Sequence, residues 1–350
     1  MTRWQNRPAG STWGDFGPDD QLGRVNLIGR EQVRKGAAEI IDGTSFCLSL
    51  PLDLPGGNLL NPRRHPPQLQ PTYRDGLPMM NFPMSRIDGD SVDVISDDQV
   101  LISLQYSTQW DSLAHVGARF DVDGNGVPQM VYYNGFRAGA DVSGPVDYDD
   151  EQDVHDCSSG GPHPSFATSL GIDNMAAHGM QGRGVLVDLY RRFGQARQLI
   201  GLDELQSVMQ ADGVTIEPGD MLVLRTGFAE LIVAMNGKPD ADVLHNACSV
   251  LNGRDARLLQ WLTDSGVSAL CADNYAVEAY PAVAIEGKKS ILPLHHHCLF
   301  KLGVPLGELW YLKALADWLQ AHQRSRFMLT APPLRLPGAV GSPVTPIATV

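Results

Sequence analysis

The chain has 350 residues, 43% of them hydrophobic and 19% charged, which is enough to bury a sizeable core and far from disordered, collagenous or coiled-coil composition. Asp and Glu number 40 against 27 Lys and Arg, a formal net charge of −13 that repels phosphate backbones and anionic membrane surfaces, so no nucleic-acid partner is expected. No window approaches the roughly 18 continuous apolar residues of a membrane span, the N-terminus has no apolar stretch after its basic residues, and the five cysteines never show CxxC spacing. The expectation is a cytoplasmic protein with reduced core thiols and no membrane partner.

In chain order, residues 1–90 are rich in Gly and Pro, as in LPGGNLLNPRRHPPQLQP, with one helix expected at Arg30–Ile41 and closed by Gly43. This part reads as an N-terminal wrapping extension, and residues 91–350 as a single domain. From Ser91 onward, strand-like runs (GVLVDLY at 184–190, GDMLVLRTG at 219–227, VSALCADNY at 267–275) alternate with amphipathic helices (LDELQSVMQADG at 202–213, GRDARLLQWLTDSG at 253–266). The alternation predicts an α/β fold with a covered sheet. In the helix at 253–265, Asn252 is the expected cap, Leu258, Leu259 and Leu262 share one face, and Gly266 stands just past the end. A further helix is expected over ELWYLKALADWLQAHQ, 308–323, and the Pro-rich tail after it is expected to lie as extended strand and loop.

The stretch LISLQYSTQWDSLAHVG, 101–117, has a period of two. Val100, Ile102, Leu104, Tyr106, Thr108 and Trp110 are mostly apolar or β-branched, whereas Ser103, Gln105, Ser107, Gln109 and Asp111 are polar. A half-buried strand would aim Gln105, Gln109 and Asp111 one way, with His115 on the turn beyond. Periodicity alone favours a plain solvated strand face over a ligand pocket.

These residues resemble the cyclase family that includes bacterial kynurenine formamidase and isatin hydrolase, whose pattern is HxxTHxDxxxH. Here the pattern reads QxxTQxDxxxH from Gln105 to His115: Thr108, Asp111 and His115 match, and both early histidines are glutamine. The family's second half-site, a His followed twelve residues later by Glu, is matched by HHCLFKLGVPLGE with His296 and Glu308. VLRTG at 223–227 and the closing LPGAVGSPVTPIA are also similar, so the resemblance spans nearly the whole chain. It implies a swivelling β/β/α fold, a homo-oligomer, a small-molecule substrate and a divalent metal, manganese or zinc. In this reading Asp111, His296 and Glu308 are the metal set, and residues 91–350 are the catalytic domain. The metal activates water against an amide, imide, lactone or N-formyl carbonyl, while His115, with Asp111, handles the proton.

The two glutamines alter that chemistry. A carboxamide is a harder and weaker donor than imidazole, which lowers zinc affinity relative to manganese, magnesium or calcium. Alternatively, Gln105 and Gln109 bind substrate through their amides, with Gln109 as an oxyanion donor. Two rivals follow: a lyase or cyclase using His115 and Asp111 with weak metal or none, and a noncatalytic small-molecule-binding protein.

Other signals are set aside. DVDGNG, 121–126, lacks the closing Glu of a calcium loop and reads as a tight turn. His295 and His297 flank His296 but cannot all face the same ion from adjacent positions, so they read as packing groups or as groups that support the ligands from behind. His155, His163 and His178 lie in or just after a loop-like middle that could cover the pocket. No Walker A, GxGxxG or GxSxG motif occurs.

Overall fold

A computed structural model describes residues 2–148, 154–156 and 165–350; His163 and Cys157 lie outside the described residues. Among the described residues a nine-stranded mixed sheet organises the molecule. Its strands are β1 (Ser45–Cys47), β2 (Gln109–Asp111), β3 (Gln181–Asp188), β4 (Met221–Arg225), β5 (Ala269–Ala272), β6 (Leu306–Glu308), β7 (Arg326–Thr330), β8 (Gly341–Pro343) and β9 (Ile347–Thr349), in the spatial order β1-β9-β7-β3-β4-β5-β6-β2-β8. Strands β3 to β6 run parallel to one another, and β2 joins antiparallel to β6.

The central strands are buried on both faces because consecutive side chains enter different cores. Val185, Val187, Leu222, Leu224, Leu270 and Ala272 face one core, with Leu205 and Val208 of α2 (Leu202–Ala211) and Leu258 and Leu262 of α3 (Ala256–Ser265). Leu186, Met221, Val223, Ala269 and Cys271 face the other, with Leu315, Ala316 and Leu319 of α4 (Lys313–Ala321). The helix α1 (Arg30–Ala37) lies on β3, where Gly36 has no room for a Cβ beside Gly182 and Met328 Sδ. This is the mixed α/β, swivelling β/β/α architecture that the sequence led us to expect.

Several boundaries differ from the sequence expectation. Helix α1 stops at Ala37 rather than Ile41, and α3 is capped by Asp255, whose carboxylate accepts from Arg257 N and Leu258 N, while the Asn252 side chain serves Arg254 N. Residues 306–308 are strand, not the start of a helix. Pairing with β5 and β2 holds them extended, and Gly307 leaves space for the Trp310 indole, whose Nε1 a Cβ at 307 would meet at 2.8 Å. Nor is the opening stretch one continuous strand. Asp98–Leu101 pairs with Gln68–Pro71, the chain then turns through 102–108, and β2 begins only at Gln109. The turn is pinned by side chains: Tyr106 donates its hydroxyl proton to Gly57 O and accepts from Gly56 N, and Thr108 Oγ1 donates to Leu309 O and accepts from Leu50 N.

The first ninety residues are woven into the molecule. β1 lies at one edge of the main sheet, and Trp13 is fully buried, donating from Nε1 to Phe300 O at 2.7 Å and stacking edge-on against Phe300. DVDGNG is a tight turn in which Asp121 accepts from Asn125 N and Gly126 N, joining the hairpin strands 118–120 and 129–131. No helix among the described residues is long and apolar enough to cross a membrane.

Candidate active site

The site forms where the parallel strands end and β2 crosses in antiparallel. Register pairs Glu308 with Gln109 and Leu306 with Asp111. Cross-strand partners share a face and alternate residues share a face, so Gln109, Asp111 and Glu308 project together. Trp110 projects the other way, into the second core, where its Nε1 donates to Ala331 O. Gln109, Asp111 and Glu308 are all buried, at 0%, 0% and 3% exposure.

Hydrogen bonds link them to one another. Gln109 Nε2 donates to Asp111 Oδ1 at 3.2 Å and to Glu308 Oε2 at 3.3 Å, so one carboxamide spans both carboxylates. His295 Nε2 lies 3.3 Å from Glu308 Oε1, and its Nδ1 lies 2.8 Å from Glu278 Oε1. Glu278 also accepts from Leu294 N and His295 N, which fixes the backbone and the ring of this residue together. Gly253 makes room for Glu278, since a Cβ there would collide with its carboxylate. His115, 22% exposed, reaches in from the rim with Nε2 3.9 Å from Asp111 Oδ1.

Burial and charge set the protonation states. Burial raises the pKa of Asp111, opposed by His115 and reinforced by the negative charge of Glu308. Burial pushes Glu308 the same way, but its hydrogen bond to His295 and the positive charges around it win, and it falls below the ordinary value. Burial disfavours the His295 imidazolium, yet Glu278 and Glu308 on its two nitrogens outweigh it and the pKa is pushed up to about 10. The two carboxylates are therefore pushed in opposite directions, Asp111 up and Glu308 down.

The structure corrects the expected histidine. His295, not His296, meets Asp111 and Glu308: the ligand atoms of Asp111, His295 and Glu308 lie within 4.8 Å of one another. His295 ends a short α-helical turn and His296 and His297 open a π-helical one, so the three adjacent rings point in different directions. Pro293 opens the turn after Leu292 and sets its phase, turning His295 inward. His296 instead packs on the Phe300 ring, its pKa lowered to about 4 by burial and then by Lys301, and His297 Nε2 pairs with Thr263 Oγ1 at 2.9 Å. Gln105 lies within the turn at 102–108 and not on β2; it lies against Gly341, in the wall of an adjoining pocket. Sequence reasoning also passed over Glu278, Arg64, Asn61 and Tyr275. For Glu278 there was a signal, an acid following the apolar run VSALCADNYAV.

Among the described residues, the cluster fits a divalent cation on its own chemistry. It offers two carboxylate oxygens and one imidazole nitrogen at mutually compatible spacing, and two buried oxygens, Asp111 Oδ2 and Gln109 Oε1, have no hydrogen-bond partner. Glu278 is the outer carboxylate that such a histidine ligand usually has.

A swivelling β/β/α fold with a buried acid and histidine cluster at the strand ends defines a small-molecule site. The sequence model of the family described as Putative cyclase matches residues 48–279, and a solved structure described as a novel cyclase is 30% identical over 97% of both chains, with a TM-score of 0.73. The chain belongs to this cyclase family. Isatin hydrolase A from Labrenzia aggregata, solved with benzyl benzoate, shares the fold at 13% identity and TM-score 0.55, covering 91% of this chain and 98% of its own. An isatin hydrolase bound to the product analogue thioisatinate is similar at 13% identity and TM-score 0.52, covering 90% and 94%. No curated protein matches the chain.

Proposed function

We propose that the protein is a metal-assisted hydrolase of a small amide, imide, lactone or N-formyl compound. The observation that carries the reading is the convergence of Asp111, His295 and Glu308 with ligand atoms within 4.8 Å, beside two unpartnered buried oxygens. Asp111, His295 and Glu308 would hold a divalent ion, which would supply Lewis-acid chemistry toward a carbonyl. The protein's own groups do the rest. Asp111, His295 and Glu308 hold the charge, and Glu278 locks the His295 ring so that only Nε2 faces the site. His115, close to Asp111 and open to the rim, takes the proton from the attacking water and returns it to the leaving group. The oxygen-rich donor set favours manganese over zinc. Because His295 carries a proton between two carboxylates in the ion-free site, metal binding there releases a proton and tightens with rising pH.

A second reading has its own support. The Gln109 amide donates to both carboxylates, doing with two N–H groups what a cation would do, and so provides for acid–base chemistry by His115 and Asp111 without metal. Turnover before and after chelation separates the two: activity lost in EDTA and restored by Mn2+ supports the hydrolase, and unchanged turnover supports the lyase. On a panel of N-formyl anilides, isatin and small lactones, His115→Ala is expected to lower kcat by about 10²–10⁴-fold, the range of a lost general acid–base. Its melting temperature should stay within a degree or two, because the ring is partly exposed; equal kcat in variant and parent would remove His115 from the reaction.

A further inference from the structure

Beside the carboxylate cluster is a small pocket lined by Arg64, Asn61, Gln105, Tyr106, Tyr275 and Leu309. Leu309 directly follows Glu308, and the charge of Glu308 bears on the half-buried Tyr275, so pocket and cluster adjoin. Arg64 is half-buried in its wall. The guanidinium is oriented by one hydrogen bond, Nη1 to Gln105 O at 2.8 Å. Among the described residues it forms no ion pair, although its charge reaches both Asp111 and Glu308. A permanently charged fork of five N–H donors, held at one nitrogen by a backbone carbonyl, leaves the others for a planar anion. Around it Tyr106, Tyr275, Leu60, Leu309 and Pro55 offer an apolar and aromatic surface. Asn61 Nδ2 donates to Tyr275 Oη at 3.3 Å, steadying that ring.

We infer that Arg64 makes this pocket, whose free volume of about 10 Å³ admits a carboxylate group but not a ring, a binding site for a carboxylate, so that the substrate is a small molecule carrying one carboxylate beside its scissile carbonyl. This deepens the hydrolase reading and rests on it for the word substrate, but the site itself is tested by binding alone. Arg64 comes from the N-terminal segment, far in sequence from Asp111 and His295, and acts on specificity rather than on the reacting bond. A carboxylate with the guanidinium would form the paired, charge-assisted hydrogen bonds that a neutral amide of the same shape cannot.

The test is calorimetric titration of the full chain with benzoate and with benzamide, for the parent and for Arg64→Met, each with Mn2+ and with EDTA. The parent is expected to bind benzoate at least about tenfold more tightly than benzamide in both conditions, and Arg64→Met to bind the two alike while keeping its benzamide affinity. Equal affinities in the parent, or a preference that survives in Arg64→Met, overturn the inference. So does a preference that disappears in EDTA, which would assign the anion to the metal. Should Arg64→Met fail to fold, Arg64→Lys takes its place: the fork is lost and the charge kept, so the preference should shrink, and an unchanged preference contradicts a paired geometry. A hydrolase panel without turnover would sink the proposed reaction and leave these binding results intact.

Discussion

Replacing Asp111 by Asn lowers kcat/KM on any substrate of this site by at least about 10³-fold, more than the roughly 10–100-fold typical of a residue that acts through a ligand. The same change leaves the fold intact or makes it more stable. Asp111 is fully buried, its Oδ2 has no partner, and its folded pKa lies above the ordinary 3.8 because burial penalises the charge. Asparagine keeps the acceptor for Gln109 Nε2 and removes the buried charge. The sign for pH follows. A carboxyl with a raised folded pKa contributes stability that is fully present below its unfolded value and is lost as pH rises through the folded one. In chelator, therefore, the melting temperature of the parent should fall as pH is raised above 3.8, and Asp111→Asn should flatten that fall. Thermal unfolding of both proteins across pH, with and without Mn2+, checks this. A parent that loses no more stability than Asp111→Asn would mean that the carboxyl is not strained by burial.

Glu278→Ala is the second large effect, and it acts on folding and on the metal together. Glu278 is 1% exposed and accepts from Leu294 N at 2.9 Å, His295 N at 3.0 Å and His295 Nδ1 at 2.8 Å. Truncation strands two buried backbone N–H groups and removes the counter-charge of a buried imidazolium, a loss of about 3–5 kcal/mol. It also frees the ring to rotate, which should weaken metal binding by about 10–100-fold. Glu278→Gln, which keeps an acceptor for the ring, should lose clearly less of both. Urea unfolding and metal titration of the two variants provide the check. Equal losses in Gln and Ala would show that the charge matters and the acceptor geometry does not.

Part of this site was legible in the sequence because it depends on local geometry. Gln109 and Asp111 share a face through the two-residue period of a strand, and Trp110 between them belongs to the core, as its chemistry suggests. Glu308 was implied only by the resemblance to the second half-site of the cyclase family. The choice among His295, His296 and His297 was not legible, because it depends on the phase of a turn that Pro293 starts and Glu278 fixes through backbone contacts. The turn at 102–108 was hidden for the same kind of reason. It is made by Tyr106 and Thr108 bonding to residues near 50, 57 and 309, which no local window contains. Arg64 and Tyr275 enter the pocket by topology alone, one from the first ninety residues and one just past β5. The central strands were read well because each is a short apolar run covered on both sides.

The most direct test is the metal stoichiometry of three purified proteins, the parent, His295→Ala and His296→Ala, after chelation and reloading with Mn2+. The parent and His296→Ala should each hold one ion per chain, and His295→Ala none. Retention of the ion in His295→Ala, or its loss in His296→Ala alone, would contradict the meeting of Asp111, His295 and Glu308 around a single cation.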